Sequence, residues 1–399
     1  MALTRRALLG TTAAAAALPR GARAADEKIL KIGNTMPYSG PASSYAPIGK
    51  TEAAYFAMLN KQGGVGGVKI DFISLDDGYS PPRTLEDVRR LVEQENVDFL
   101  FNTLGTPTNT AIEKYLNQKK VPHLFLATGA DKWGNYKEYP WTIGLQPSYR
   151  TEAQIYAKYI LKQKSDAKIG FLYQNDDFGK DYLNGVRDVL AKDWDKYVIQ
   201  SLSYEATDPT VDSQITSLQS SGADVFICAA APKTAAQAIR KAHDLGWKPM
   251  FFMTNVSISV GSVMKPAGEE AGIGIITSGF LKDSTDPAWA NDPGMNEWRA
   301  FMAKEMPGAD LSDNNYVYGY LASRVMHHTL VKCKGDFSRP NVMKQATSID
   351  PPLEVPVLLP GIKVSTSPTN YHPIRAMQLQ RWDGQKWVRF GEIIEGVST

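Results

Sequence analysis

From Lys28 onward, short runs of β-branched and aromatic residues alternate with longer stretches whose apolar positions recur every three to four residues. The first runs predict strands over residues 28–33, 69–75, 98–101 and 123–126, with helices over 47–62, 84–95 and 109–119 between them. In the first of these helices Ala53, Phe56, Ala57 and Asn60 fall at helical spacing, and the glycine-rich stretch 63–67 stops it. In the second, Leu85, Val88, Leu91 and Val92 share a face. Four strands complete one sheet in this reading. The same rhythm then returns, with helices over 151–162, 178–190, 212–220 and 234–245 and strands over 168–173, 198–203, 224–229 and 250–253. Strand–helix alternation of this kind is the sequence form of βαβ units, so the fold class is α/β, with two doubly wound parallel-sheet lobes.

The remainder is too little for a third lobe. It holds a strand over 273–278, helices over 293–306 and 316–332, and a hairpin of strands 377–382 and 386–393 turning at Asp383-Gly384. Turn-forming residues at 145–150, 279–287 and 360–373 mark places where the chain crosses between lobes. The lobes expected from this are 25–147 plus 280–362 and 148–279 plus 363–399, joined by a multi-strand hinge beside a cleft.

Composition narrows the choice of partner. The 399 residues are 43% hydrophobic and 22% charged, with 44 Lys and Arg against 42 Asp and Glu for a net charge of +2. This excludes disorder, collagen and a disulfide-stapled miniature, and it leaves ample chain for two or three domains. Without blocks of Lys and Arg there is no footprint for nucleic acid, and no apolar run is long enough to span a bilayer. The charge is uneven. Residues 1–24 hold Arg5, Arg6, Arg20 and Arg23 and no acid. They read as a signal peptide of twin-arginine type: Arg5-Arg6, an apolar stretch over 7–18, and the small-x-small site Ala22-Arg23-Ala24. Cleavage near Ala24 removes four arginines and turns the net charge to −2. No cysteine follows that site, so no lipid anchor is expected, and the exported chain belongs in the periplasm as a monomer. Cys228 lies in an apolar strand and Cys333 follows a helix; export permits a bridge between them, and spacing alone does not make one.

Enzymatic signatures are missing: there is no phosphate-cradling GxxxxGK[ST], no GxSxG elbow, no HExxH and no GxGxxG after the first strand. The histidines give no metal spacing, since His123 and His243 are isolated and His327-His328 point about 100° apart on a helix. No metal and no cofactor are expected. What does gather is a set of loops directly after strands, where open α/β sheets take ligands. They are residues 35–45, rich in hydroxyls and rings; 104–109, with Gly105, Thr106 and Asn109; and 127–130, with Thr128 and Gly129. Thr hydroxyls and backbone N–H groups at helix starts suit a carboxylate, although N-capping uses the same residues. In the second half, Asp176 and Asp177 stand where a helix cap is needed, and Phe178 opens the helix where a ring could cover a ligand. Trp133 and the neighbouring rings agree with an apolar or aromatic ligand body.

Ser39-Gly40-Pro41, Asn60-Lys61-Gln62-Gly63-Gly64-Val65, Leu75-Asp76-Asp77 and Gln174-Asn175-Asp176-Asp177-Phe178-Gly179, in this order across the whole exported chain, resemble periplasmic solute-binding proteins of the branched-chain amino acid type. The resemblance implies the type I periplasmic binding fold, a ligand held between lobes, and delivery to the permease subunits of an ABC importer. By position it implies that Tyr45 flanks the ligand, that Gly105 and Thr106 bind its carboxylate beside Ala127, Thr128 and Gly129, and that Phe178 covers it. Two departures stand out. Ala230 and its neighbours replace an aromatic residue, and Thr254-Asn255 replaces the acid that meets a ligand ammonium. A desolvated ammonium needs a compensating charge, so the expected ligand is a carboxylate without an α-amino group, aromatic in one version, in a pocket enlarged at 229–231. A ligand-sensing module for a membrane receptor and a secreted α/β enzyme using Asp176 or Asp177 are the other readings that the sequence leaves open.

Overall fold

A computed structural model describes residues 28–396; the signal-peptide reading of residues 1–24 lies outside the described residues. In chain order the first part runs β1 (Ile29–Met36), α1 (Ala46–Lys61), β2 (Lys69–Asp76), α2 (Pro81–Glu93), β3 (Phe99–Phe101), α3 (Thr106–Lys119), β4 (His123–Leu126) and β5 (Thr142–Gly144). The second runs α4 (Tyr149–Gln163), β6 (Ile169–Gln174), α5 (Asp177–Leu190), β7 (Val198–Tyr204), α6 (Asp212–Ser220), β8 (Val225–Ala229), α7 (Pro232–Asp244), β9 (Met250–Met253) and β10 (Ile276–Gly279). It is followed by α8 (Pro293–Glu305), α9 (Asn315–Lys332), α10 (Arg339–Ala346), β11 (Ala376–Trp382) and β12 (Trp387–Glu395). The strands form two sheets, ordered β2-β1-β3-β4-β5 and β12-β11-β10-β9-β8-β6-β7.

The first sheet is parallel throughout. It holds five strands and not the four expected, because Thr142–Gly144 adds to β4, with His123 opposite Thr142. Three residues ending in glycine are too short to show a strand period. The second sheet is parallel from β7 to β10, then antiparallel through β11 and β12, the hairpin that the sequence places at its end. Its hairpin turns at Asp383, whose carboxylate accepts the N–H groups of Gln385 and Lys386.

Helix starts fall earlier than the apolar rhythm predicts. Helices α2, α3 and α7 begin at Pro81, Thr106-Pro107 and Pro232, each with proline in the first turn. Proline is suited to that turn because its missing N–H would have no partner inside the helix. Helix α10 goes unread for a related reason: Pro340 in its first turn breaks a short amphipathic pattern. Strand β10 starts at Ile276 instead of 273, since Glu269–Gly272 form a helical turn and leave Ile273 exposed.

The last helices return to the first sheet. Tyr55 of α1 meets Phe301 of α8 and Tyr320 of α9 at centroid distances of 5.7 and 5.6 Å. Gly319 lets α9 lie directly on α1, since a Cβ there would stand 2.7 Å from the Ile48 carbonyl oxygen. Arg339 of α10 donates to the carbonyls of Val97 and Asp98 below β3. The chain therefore crosses between sheets after β5, after β10 and again before β11, and the last two crossings pair where Leu359 N–H meets the Phe280 carbonyl at 2.9 Å. Cys228 in β8 and Cys333 past α9 are both buried free thiols, with no bridge between them.

Candidate functional site

Between the two sheets, at the carboxyl ends of their strands, lies a cavity enclosing about 900 Å³ of space, its open mouth included. Six residues singled out from the sequence line it: Tyr45, Gly105, Thr106 and Ala127 from the first lobe, Phe178 and Asn255 from the second. Thr128, Gly129 and Ala230 stand behind its wall instead. Ala230 is turned into the core of the second lobe, and its neighbour Ala231 faces the cavity. Gly129 underlies Tyr149, where an added Cβ would stand 2.8 Å from the ring, and its carbonyl accepts the Tyr149 N–H at 2.8 Å.

Thr128 acts through Thr106. Its Oγ1 lies within 3.3 Å of the Ala130 N–H and of the Trp133 indole N–H, both donors, and 2.6 Å from Thr106 Oγ1. With two donors on that oxygen, the Thr128 hydrogen is directed to Thr106, whose own O–H is then free to donate into the cavity. Thr106 is also the first residue of α3, whose leading N–H groups have no partner within the helix. Gly105 makes this turn possible. Its φ is 102°, and its N–H reaches the Ala127 carbonyl at 3.4 Å. The result is a cluster of donors at the positive end of a helix, which complements an anionic oxygen.

The opposite lobe is organised by Glu152, which the sequence reading did not single out. This carboxylate is fully buried in α4 and receives donors from the Tyr156, Tyr182 and Ser278 hydroxyls and from both the N–H and the Nδ2 of Asn255. Burial raises its pKa above the ordinary carboxylate value, and these hydrogen bonds draw it back down. Because Glu152 accepts the Asn255 amide nitrogen, Asn255 Oδ1 is left to face the cavity as a neutral acceptor. Asn255 is thus held in the wall by a carboxylate that does not itself line the cavity.

Rings from both lobes close the remaining sides. Tyr149 meets Phe178 edge-to-face at 4.9 Å and stacks on Tyr182 at 5.7 Å. Tyr79, in the loop after β2, also lines the cavity and accepts from Gln174 of the second lobe at 3.3 Å. The strand-end rule that selected its neighbours would have found Tyr79. Asp283, Asn314, Tyr318 and Gln380 come from the crossings and from α9 and β11, where no local motif marked them. Asp176 caps α5, its carboxylate accepting the Gly179 N–H at 3.3 Å, as the sequence favoured. Trp133 is buried in the first lobe and serves Thr128 rather than a ligand body. Among the described residues no group of three or more His, Cys, Asp or Glu is placed to hold a metal, and no helix is long and apolar enough to cross a membrane. His123 is buried against Thr103 at 2.6 Å, with its pKa lowered to about 3 by desolvation.

The family model described as "Periplasmic binding protein" matches residues 29–386. The chain belongs to this family. It is 25% identical, over 94% of both chains, to Leu/Ile/Val-binding protein homolog 7 of Brucella suis. A branched-chain amino acid ABC transporter protein from Thermus thermophilus with bound valine superposes with a TM-score of 0.82 at 14% identity, over 93% of this chain and 97% of that one. An R. palustris solute-binding protein in complex with 4-hydroxybenzoate superposes at 0.75 and 18% identity, over 92% and 98%. These likenesses establish the type I periplasmic binding fold. Proteins of this family bind solutes for ABC transport in the periplasm.

In this periplasmic binding protein the lobes touch across the cleft. Tyr45 donates its hydroxyl to the Val256 carbonyl at 3.2 Å, and the Gly261 N–H meets the Ser312 carbonyl at 2.9 Å. At one edge the Asp131 N–H donates to Asp181 of α5 at 2.7 Å, and Lys132 lies 3.5 Å from both Glu113 of α3 and Asp177 of α5. Burial raises the pKa of Asp181 and that of Glu113 to about 7 each; the Asp131 N–H draws Asp181 back against the repulsion of the Asp131 and Asp177 carboxylates, and Lys132 draws Glu113 back. A carboxyl whose folded pKa is raised gives stability that is intact below its unfolded value and is lost as pH rises through about 7. The melting temperature of the wild type should therefore fall between pH 4 and pH 7.5. In Asp181→Asn with Glu113→Gln it should fall by roughly 2–4 °C less. Superimposable profiles in a pH series of thermal melts would show that these two groups do not titrate as described.

Proposed function

We propose that this protein is the substrate-binding component of an ABC importer, capturing a small carboxylate-bearing solute, either an aromatic acid or an amino-acid-like compound, and delivering it to a membrane permease. The observation that carries the reading is the Thr106 hydroxyl, 2.6 Å from Thr128 Oγ1 at the start of α3, in a cavity walled by rings from both lobes. An acceptor with two oxygens suits those donors, and Tyr149 and Phe178 suit a flat or branched body behind it. Valine and 4-hydroxybenzoate, held by two structural neighbours, each carry a carboxylate, which supports this class. Residues 25–147 with 280–362 and residues 148–279 with 363–399 then move as two bodies about the three crossings. A ligand favours closure through contacts made by both lobes only when they are together. The exported chain works as a monomer, sent to the periplasm by the twin-arginine signal of residues 1–24.

A thermal-shift screen of amino acids, aromatic acids, short amides and dicarboxylates tests this, because a ligand that binds only the folded protein raises its melting temperature. Carboxylates should stabilise the protein and leave the screen chemically unchanged. Stabilisation by none of them, or turnover of a bound compound, would overturn the reading.

A further inference from the structure

The cavity carries one carboxylate of its own. Asp283, in the crossing after β10, is the one Asp, Glu, Lys, Arg or His among the described residues that line it. The residue is 9% exposed, and Thr285 fixes its side chain through its N–H and its hydroxyl, each donating at 2.7 Å to the same oxygen, Oδ1. The structure gives Oδ2 no protein donor. Among the described residues no cation pairs with it. The adjacent Lys282 turns away to hold both oxygens of Asp292 at 2.8 Å and the Pro356 carbonyl at 2.7 Å. The charged group closest in its effect is Asp286, which repels it and, with burial, raises its pKa above the usual carboxylate value.

A desolvated carboxylate with half of its acceptor capacity unused is costly unless something arrives to pair with it. Asn255 offers a ligand only a neutral oxygen, so the ammonium partner that the sequence reading found missing there is supplied from a different element. We propose that Asp283 is the specificity-determining counter-charge for a cationic nitrogen on the ligand, so that the solute carries an amine as well as the carboxylate bound at Gly105–Thr106. This rests on the proposed solute-binding role and goes further, since it replaces the expected amine-free acid with a dipolar one. Two walls of opposite character, donors at α3 and an acceptor at the crossing, orient such a molecule in a single direction.

Matched pairs differing only in the amine test it: leucine against 4-methylpentanoate, and 4-(aminomethyl)benzoate against 4-ethylbenzoate, titrated calorimetrically into the wild type and Asp283→Asn. The asparagine carbonyl still accepts both Thr285 bonds, so the turn is retained, and the ligand-free variant should melt at or above the wild-type temperature because an unpaired buried charge is gone. The wild type should prefer the amine-bearing member of at least one pair, and Asp283→Asn should weaken that member by about tenfold to a hundredfold. It should leave the amine-free partner unchanged. Wild-type preference for the amine-free members, or equal affinities in wild type and variant, would overturn the role of Asp283 while the carboxylate site stood. Binding of none of the four would remove the solute-binding reading for these classes and this inference with it.

Discussion

Glu152→Ala should abolish solute binding and destabilise the protein by about 3 kcal/mol or more, the largest effect expected of any single substitution behind the cavity wall. Five donors converge on the two oxygens of this carboxylate: three hydroxyls, one backbone N–H and one amide nitrogen. Tyr156 and Tyr182 are fully buried, where water does not replace the lost acceptor, while Asn255 and Ser278 border the cavity. Tyr156 and Tyr182 keep secondary partners in the Met253 carbonyl and Thr254, whereas the Asn255 amide loses the contact that orients it. A freed amide can turn its NH₂ toward the cavity and present a donor where an acceptor stood. Glu152→Gln should fall between the two, since it keeps one acceptor and sets an NH₂ against existing donors. Urea denaturation and ligand titration of the three proteins give the order wild type, Gln, Ala in both properties. An alanine variant with wild-type stability would mean that the network is dispensable.

Gly105→Val should cost at least about a hundredfold in affinity, through geometry and not charge. At φ 102° the backbone is in a region that a β-branched residue avoids. A Cβ would also stand 2.5 Å from Cε2 of Tyr79 and 2.6 Å from Thr108 Oγ1, contacts that ordinary packing excludes. Relief requires moving either the Tyr79 ring into the cavity, where it takes ligand space, or the first turn of α3 away from it, which displaces the Thr106 hydroxyl. Because the strain is local, circular dichroism should remain that of the wild type while titration loses its signal. Unaltered affinity would show that the carboxylate does not depend on this turn.

The legibility of the molecule in its sequence follows from how local each feature is. Strands β4 and β9 and helix α6 fall on the residues that the periodicity gives, because each is bounded by turn formers and presents one clean period. The loops after β1, β3 and β4 were found through their hydroxyls and glycines, and Gly105 and Thr106 lie where such loops put them. Ala230 shows the limit of that reading: alternate positions leaving a strand face opposite sides, so an offset of one residue exchanges the cavity for the core. Glu152 was hidden because a charged residue in an amphipathic helix reads as solvated. Its burial depends on Tyr182, Asn255 and Ser278, which are 30, 103 and 126 positions away. Asp283 was hidden in a turn-rich crossing, where an aspartate normally serves its own backbone, as this one also does through Thr285.

The central claim, that the Thr106 turn receives a ligand carboxylate in the cleft, is tested most directly by one calorimetric comparison. The best-bound carboxylate from the screen and its primary amide are titrated into the wild type and into Thr106→Val. The account predicts that the wild type binds the acid at least about tenfold more tightly than the amide, and that the variant loses most of this preference. Equal affinity for acid and amide in the wild type, or an acid preference that survives Thr106→Val undiminished, would contradict it.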